Sequence, residues 1–278
     1  MSRPQAPEVL TRRWSEGGWQ EAGDRLAAEE PLQLLIDGSP LSIVMRTPGN
    51  DVELALGLLW AERVVTDPAE VREVRVSAES GEREEAVRLL TDLIESNQVD
   101  VRLASGPGRR LERAFLSSSA CGVCGATTVE SLALDLPQVP DGPVVEPRLL
   151  AELAERLRGR QRLFDQTGGL HAAGLFDAAG ELVVLREDVG RHNAVDKVVG
   201  RALLDGRLPL AGHLLVVSGR GGYEIVQKAV AASIPLVAAV GAPSSLAVAT
   251  ARRFGLTLVG FLRGGRFNVY SGPERLSA

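Results

Sequence analysis

Cysteine is almost missing from this chain: 278 residues hold two, Cys121 and Cys124. A disulfide framework needs more cysteines at wider separations, so the sequence predicts a reducing, cytoplasmic setting. Histidine is scarce as well, and His171, His192 and His213 lack the close spacing that would complete a zinc site with the cysteines. A basic excess is lacking, since the formal net charge is -5. Bulk nucleic-acid binding is not expected from such a balance. The start, 1–19, has no apolar core of a secretory signal. The longest apolar run, 229–240, is broken by Ser233 and Pro235 and falls short of the roughly 20 residues that span a bilayer, so no membrane role is expected. Internal repeats and low-complexity tails are absent. What remains is 45% apolar residues, enough for a real core in one or two domains.

The first part reads as a small α+β unit. Leu32 to Ile36 and Leu41 to Met45 flank Asp37-Gly38-Ser39-Pro40, which predicts a hairpin. Asn50, with Glu53 three residues on, predicts a capped helix start ahead of Leu54, Leu58 and Leu59. Strands are expected over 71–76 and 99–103, with a helix over 82–95. A Ser/Cys/Gly-rich loop, 117–128, leads to a helix over 129–134, and Pro147 suits the first turn of a helix over 148–160. Further on, Asp177-Ala178-Ala179-Gly180 predicts a second hairpin, and a helix follows over 193–204. Apolar runs at 214–217, 236–240 and 256–262 alternate with helices over 223–232 and 244–254. That order implies an α/β sheet with parallel pairing. The domains expected are 1–116 (α+β), 117–135 (a mobile cysteine loop and its helix) and 136–278 (α/β, cofactor-binding).

Each of the three parallel strands ends in a glycine-containing segment: Ser218-Gly219-Arg220-Gly221-Gly222, Gly241-Ala242-Pro243-Ser244-Ser245 and Arg263-Gly264-Gly265-Arg266. All three fall at the carboxyl edge, where open α/β sheets bind ligands. Glycines there admit phosphate to backbone N–H groups, and arginines can clamp it. Tight strand-to-helix turns need glycine for their own reasons, so both readings stay open.

The cysteine pair stands in Ser117-Ser118-Ser119-Ala120-Cys121-Gly122-Val123-Cys124-Gly125. Sulfur chemistry needs a thiolate with access, and a serine- and glycine-rich loop ahead of a helix provides the setting. Structural zinc, a redox disulfide and ordinary buried cysteines are the rival readings.

Several long motifs decide among these. Arg46-Thr47-Pro48-Gly49 with Glu53 to Gly57, the cysteine segment, Phe164 to Ala173, Arg186 to Lys197, Ser218-Gly219-Arg220 and Gly260 to Tyr270 occur in the order of the formate dehydrogenase accessory sulfurtransferase family, which the chain resembles over nearly its whole length. The resemblance implies a cytidine-deaminase-like C-terminal α/β domain without zinc chemistry, a smaller N-terminal α+β domain and a homodimer. It implies that a cysteine desulfurase loads sulfur on Cys121, with Cys124 as an auxiliary. The acceptor would be a molybdenum or tungsten bis(molybdopterin guanine dinucleotide) cofactor, bound as substrate before insertion into the formate dehydrogenase apo-enzyme. Phe261, Leu262, Arg263, Gly264, Gly265 and Arg266 are then expected to hold that cofactor, with Ser218, Gly219, Arg220 and His192. His171 and His192 sit in the densest polar motifs and could shuttle protons or satisfy turns. Asp188 is read as a helix N-cap, and Glu53 as part of the scaffold. A zinc nucleoside deaminase is the reading the motifs oppose: no His-x-Glu occurs and no proline precedes Cys121. A cofactor chaperone without sulfur chemistry is the other alternative.

Overall fold

The computed structural model of the chain describes residues 4–77, 97–105 and 136–277. The helix expected over 82–95, the cysteine loop and the helix over 129–134 lie outside these residues, and so do Cys121 and Cys124. The described chain opens with an antiparallel ribbon, β1 (Glu8–Ser15) and β2 (Gly18–Arg25), that pattern reading had not predicted. Its strands carry charges on both faces, and its turn uses Gly18 at φ 101°.

A four-stranded sheet follows in the order β4-β3-β6-β5, built from β3 (Glu30–Ile36), β4 (Ser39–Arg46), β5 (Val71–Val76) and β6 (Gln98–Leu103). The hairpin expected around Asp37-Gly38 joins β3 to β4. Helix α1 (Asp51–Ala61) begins where expected, though its start is built differently. Asn50 is left-handed (φ 59°) and makes no side-chain cap bond. Glu53 turns away to Arg186, which accepts nothing but donates twice, through Nε at 2.5 Å and Nη2 at 2.7 Å. The expected capping box is therefore absent: a buried ion pair took its glutamate.

The second half is a six-stranded sheet, β12-β11-β10-β9-β7-β8. Its strands are β7 (His171–Phe176), β8 (Leu182–Asp188), β9 (Leu214–Val217), β10 (Leu236–Ala239), β11 (Thr257–Arg263) and β12 (Arg266–Ser271). β9, β10 and β11 pair in parallel, while β8 and β12 close the edges antiparallel. The helices are α2 (Pro147–Arg158), α3 (Arg162–Thr167), α4 (Arg191–Leu204), α5 (Tyr223–Ala231) and α6 (Ser245–Phe254). The α/β class is the one the strand–helix alternation predicts.

Strand alternation divides the core. Leu214, Val216, Leu236 and Ala238 pack under α2 with Leu150, Leu153 and Leu157. Leu215, Val217, Val237 and Ala239 face the other way, toward α4, α5 and α6. That second cluster does not stop at the sheet. It runs on through α1 to Leu32, Leu34, Val99 and Val101, so both sheets share one apolar core. Helix α1 is apolar nearly all round, as a helix buried on every side must be, and its Trp60 Nε1 donates to the Ala231 carbonyl at 2.9 Å.

The crossing of α1 and α4 is unusually close. A Cβ on Gly57 would stand 1.8 Å from the Asp196 carbonyl oxygen, and one on Gly200 would stand 1.8 Å from that of Glu53. The contact is reciprocal, since 53/57 and 196/200 are each one turn apart. Only glycine lets two helix backbones touch in this way.

Candidate functional site

The carboxyl ends of β9, β10 and β11 lie side by side, so the three glycine-containing segments meet at one edge. Backbone bonds stitch them together: Gly241 N–H donates to Gly219 O (2.9 Å), Phe261 N–H to Gly241 O (3.1 Å) and Ser244 N–H to Gly221 O (3.3 Å). Ser218 ties this edge to β7, because its Oγ accepts from Ala172 N–H at 2.8 Å.

The geometry separates the roles of the glycines. A Cβ on Gly241 would meet Gly219 O at 3.0 Å, and one on Gly260 would meet Pro243 Cδ at 2.7 Å, so both serve loop packing. Around Gly222, Gly264 and Gly265 there is open space. The third segment differs from the other two in leading to a strand rather than a helix. Gly264 (φ 58°) and Gly265 (φ 72°) form a two-residue hairpin turn between Arg263 and Arg266, which pair across it. Phe261 sits in a bulge at φ 55°, a costly conformation for an aromatic residue. Leu262 is wholly buried in the core under α2, so of the expected cofactor-binding residues it offers a ligand nothing but backbone. Arg263, Gly264, Gly265 and Arg266 are exposed at the hairpin turn.

Two helices begin at the same edge, α4 after Gly190 and α5 after Gly222, and neither has a side-chain cap. Helix α6 supplies its own, with Ser244 Oγ accepting from Ala247 N–H at 3.2 Å. Among the described residues no side chain caps either start, and both present the positive end of a helix dipole. Around them gather cations. His171 lies against Gly219, where a Cβ would be 3.4 Å from its Nδ1 and 3.6 Å from Arg191 Cδ. Burial, then the charges of Arg191, His192 and Arg220, depress the His171 pKa below 6.5, while Asp188 pulls the other way. Arg191 Nε is buried without a hydrogen-bond partner. A buried, unpaired guanidinium N–H is expensive unless a ligand accepts from it. An arrangement of arginines, histidines and uncapped helix starts suits a phosphate-bearing anion.

Behind this edge the N-terminal motif is bolted to the C-terminal one. Asp188 is not the N-cap expected: it ends β8, Gly190 holds the cap position, and the buried carboxylate instead accepts from Gly190 N–H (2.8 Å), Asn193 Nδ2 (2.9 Å), Thr47 N–H (3.2 Å) and Lys197 Nζ (2.7 Å). Lys197 also donates to Thr47 O at 2.9 Å. Arg46 makes a bidentate pair with Asp51 and donates to Asn97 Oδ1. One turn into the helices, Lys228 Nζ meets Asp196 Oδ1 at 2.7 Å. Burial works against the Lys228 ammonium, but Asp196 and then Glu62 outweigh it and hold its pKa above the ordinary value.

His192 and Ser218 to Arg220 are thus brought to one edge with His171, which sequence reading had also singled out. Glu224, which meets His192 Nδ1 at 3.0 Å, was missed. A signal for it exists: Glu224 and Lys228 repeat, with opposite charge order, the spacing of His192 and Asp196. His213 stays apart, at the start of β9, with its Nδ1 buried and unpartnered. Among the described residues no group of three or more His, Cys, Asp or Glu is placed to hold a metal ion, and no helix is long and apolar enough to cross a membrane.

Comparison with known proteins places this arrangement. The FdhD/NarQ family model matches residues 27–277. The chain is 49% identical over 271 residues to the sulfur carrier protein FdhD of Streptomyces avermitilis, covering 95% of this chain and 93% of that one. The sulfur carrier protein FdhD of Sulfolobus acidocaldarius is 40% identical over 272 residues, covering 98% and 99%. Among solved structures, a putative formate dehydrogenase accessory protein from Desulfotalea psychrophila superposes with a TM-score of 0.75 at 25% identity, covering 99% of this chain and 100% of that one.

Proposed function

This chain belongs to the FdhD/NarQ family, and from that premise we propose that it is a cytoplasmic sulfur carrier for formate dehydrogenase maturation, working through a persulfide on Cys121. The donor in this reading is a cysteine desulfurase. The Cys121 thiolate attacks the sulfane sulfur of the donor's persulfide, a new S–S bond forms on Cys121, and the donor cysteine leaves as its thiolate. The acceptor is a molybdenum or tungsten bis(molybdopterin guanine dinucleotide) cofactor, carried as substrate and then passed to the apo-enzyme. Cys124 is an auxiliary thiol, and a homodimer is the working unit.

The observation that supports the substrate class is the cationic edge. Two helix starts without side-chain caps, the buried Arg191 Nε and Arg220 converge at the edge where the glycine segments meet, a setting that suits a diphosphate. Arg263 and Arg266, exposed at the hairpin turn, extend the same charge outward toward a second nucleotide. His171 and His192 lie among these groups, within reach of whatever the edge holds.

Intact-protein mass spectrometry after incubation with a cysteine desulfurase and cysteine tests the proposal. A reducible gain of sulfur mass in the wild type, lost in Cys121→Ala and kept in Cys124→Ala, is the expected result. Guanine-nucleotide binding should survive Cys121→Ala and weaken in Arg191→Met. No gain in wild type with an active desulfurase, together with intact nucleotide binding, would replace the carrier by a chaperone that only escorts the cofactor.

A further inference from the structure

Helices α4 and α5 start side by side and are joined by two polar rungs. The outer rung is His192 Nδ1 to Glu224 Oε2 at 3.0 Å, and the inner one, a turn deeper, is Lys228 Nζ to Asp196 Oδ1 at 2.7 Å. Along each helix the partners are four residues apart, so the rungs stack one above the other. Charge alternates around the four: histidine beside glutamate, with aspartate below the histidine and lysine below the glutamate. Glu224 is a carboxylate here. Burial raises its pKa, but the hydrogen bond from His192 and the charges of His192, Lys228 and Arg191 lower it further, to below the ordinary value.

We propose that Glu224 is a positioning residue: it accepts the Nδ1–H of His192, fixes that tautomer, and leaves Nε2 as the basic nitrogen offered to the crevice. A histidine's two nitrogens are not equivalent, and the bond made by one decides the chemistry of the other. The Lys228 ammonium, held by Asp196, adds to His192 in favouring the Glu224 carboxylate. Without Glu224, His192 loses the one ion-pair partner it has among the described residues. The inference rests on the persulfide reading above. Within it, Nε2 is the base offered to a protonated sulfur brought to the crevice: the S–H bond breaks, an N–H bond forms, and the sulfur is left anionic with no change of oxidation state. Acid–base help of this kind is worth about 100-fold or more where the base is well placed.

The test uses the full chain labelled with 15N-histidine, with His192 assigned by His192→Gln. In mildly alkaline buffer, wild-type His192 should show a protonated Nδ1 and an unprotonated Nε2. Glu224→Ala should release the ring to a mixture of both tautomers, while Glu224→Gln, which keeps an acceptor oxygen, should hold the Nδ1–H form. In sulfur delivery from pre-loaded Cys121 to a thiol acceptor, Glu224→Ala should lower the rate roughly tenfold to a hundredfold, flatten the pH profile and leave the loading of Cys121 unchanged. Glu224→Gln should recover most of the rate. A His192 that keeps the Nδ1–H tautomer in Glu224→Ala, or a delivery rate and pH profile equal to wild type, overturns the proposal. Should wild type accept no sulfur at all, the persulfide reading falls, and the tautomer spectra still decide whether Glu224 positions His192.

Discussion

Replacing Gly200 by alanine sets one methyl group against a helix backbone. Its Cβ would lie 1.8 Å from the Glu53 carbonyl oxygen, about 1.6 Å inside the 3.4 Å of ordinary contact, with the Glu53 carbonyl carbon at 2.6 Å and Cα at 2.9 Å. Every atom met is backbone, so no side chain can swing aside, and α1 and α4 must part. Alanine favours an isolated helix over glycine by about 1 kcal/mol, which offsets part of the cost. Overpacking costs about 1–3 kcal/mol and more where relief is blocked. Parting the helices also stretches the Glu53–Arg186 pair, which crosses beside the contact. A net loss of about 2 kcal/mol is expected, read as a fall in the urea midpoint at constant slope and a drop of roughly 4–8 °C in Tm. Gly212→Ala is the control: nothing lies within 4 Å of its added Cβ, so a change under about 0.5 kcal/mol is expected. If Gly200→Ala unfolds with the wild type while Gly212→Ala behaves as stated, the reciprocal glycine contact is not what holds the helices together.

Two further outcomes follow from the same geometry. Glu53→Ala strands Arg186, whose side chain is 22% exposed, and should cost about 2 kcal/mol in equilibrium denaturation; adding Arg186→Met should return part of it, and a double variant as unstable as the sum of the singles would contradict the pairing. His171, depressed by burial and by its cationic neighbours, should titrate below 6.5 by NMR, with Arg191→Met moving it upward. Since the folded protein holds that proton more weakly than the unfolded chain, the His171 contribution to stability is present above pH 6.5 and lost as pH falls through the folded value. An unmoved His171 in Arg191→Met would separate the two side chains electrostatically.

Much of this was legible in sequence where one element's own pattern decides its form. The Asp37-Gly38 hairpin, the apolar runs of β9, β10 and β11 and the helices between them needed no distant partner, and the parallel order alone put three glycine segments on one edge. The charged β1–β2 ribbon had no periodicity to betray it. Gly264-Gly265 suits a ligand loop and a tight turn alike, so the pattern does not reveal that β12 follows it. Asn50 and Glu53 match a capping signal, yet Glu53 finds Arg186 133 residues away, and a desolvated bidentate pair outcompetes a surface cap. The polar framework of Thr47, Asp188 and Lys197 was invisible for the same cause: partners 141 to 150 positions apart leave no local trace.

The shared core also sets a schedule. Helix α1 is complete after residue 61, but α4, whose backbone it must touch, ends at Leu204. At about 5–20 residues per second, a ribosome leaves roughly 7–30 seconds between the two. Throughout that interval α1 can meet β3 and β6, but the face that touches α4 at Gly57 has no counterpart. The nascent amino-terminal half is therefore the stage of this protein's life at which a chaperone has most to hold.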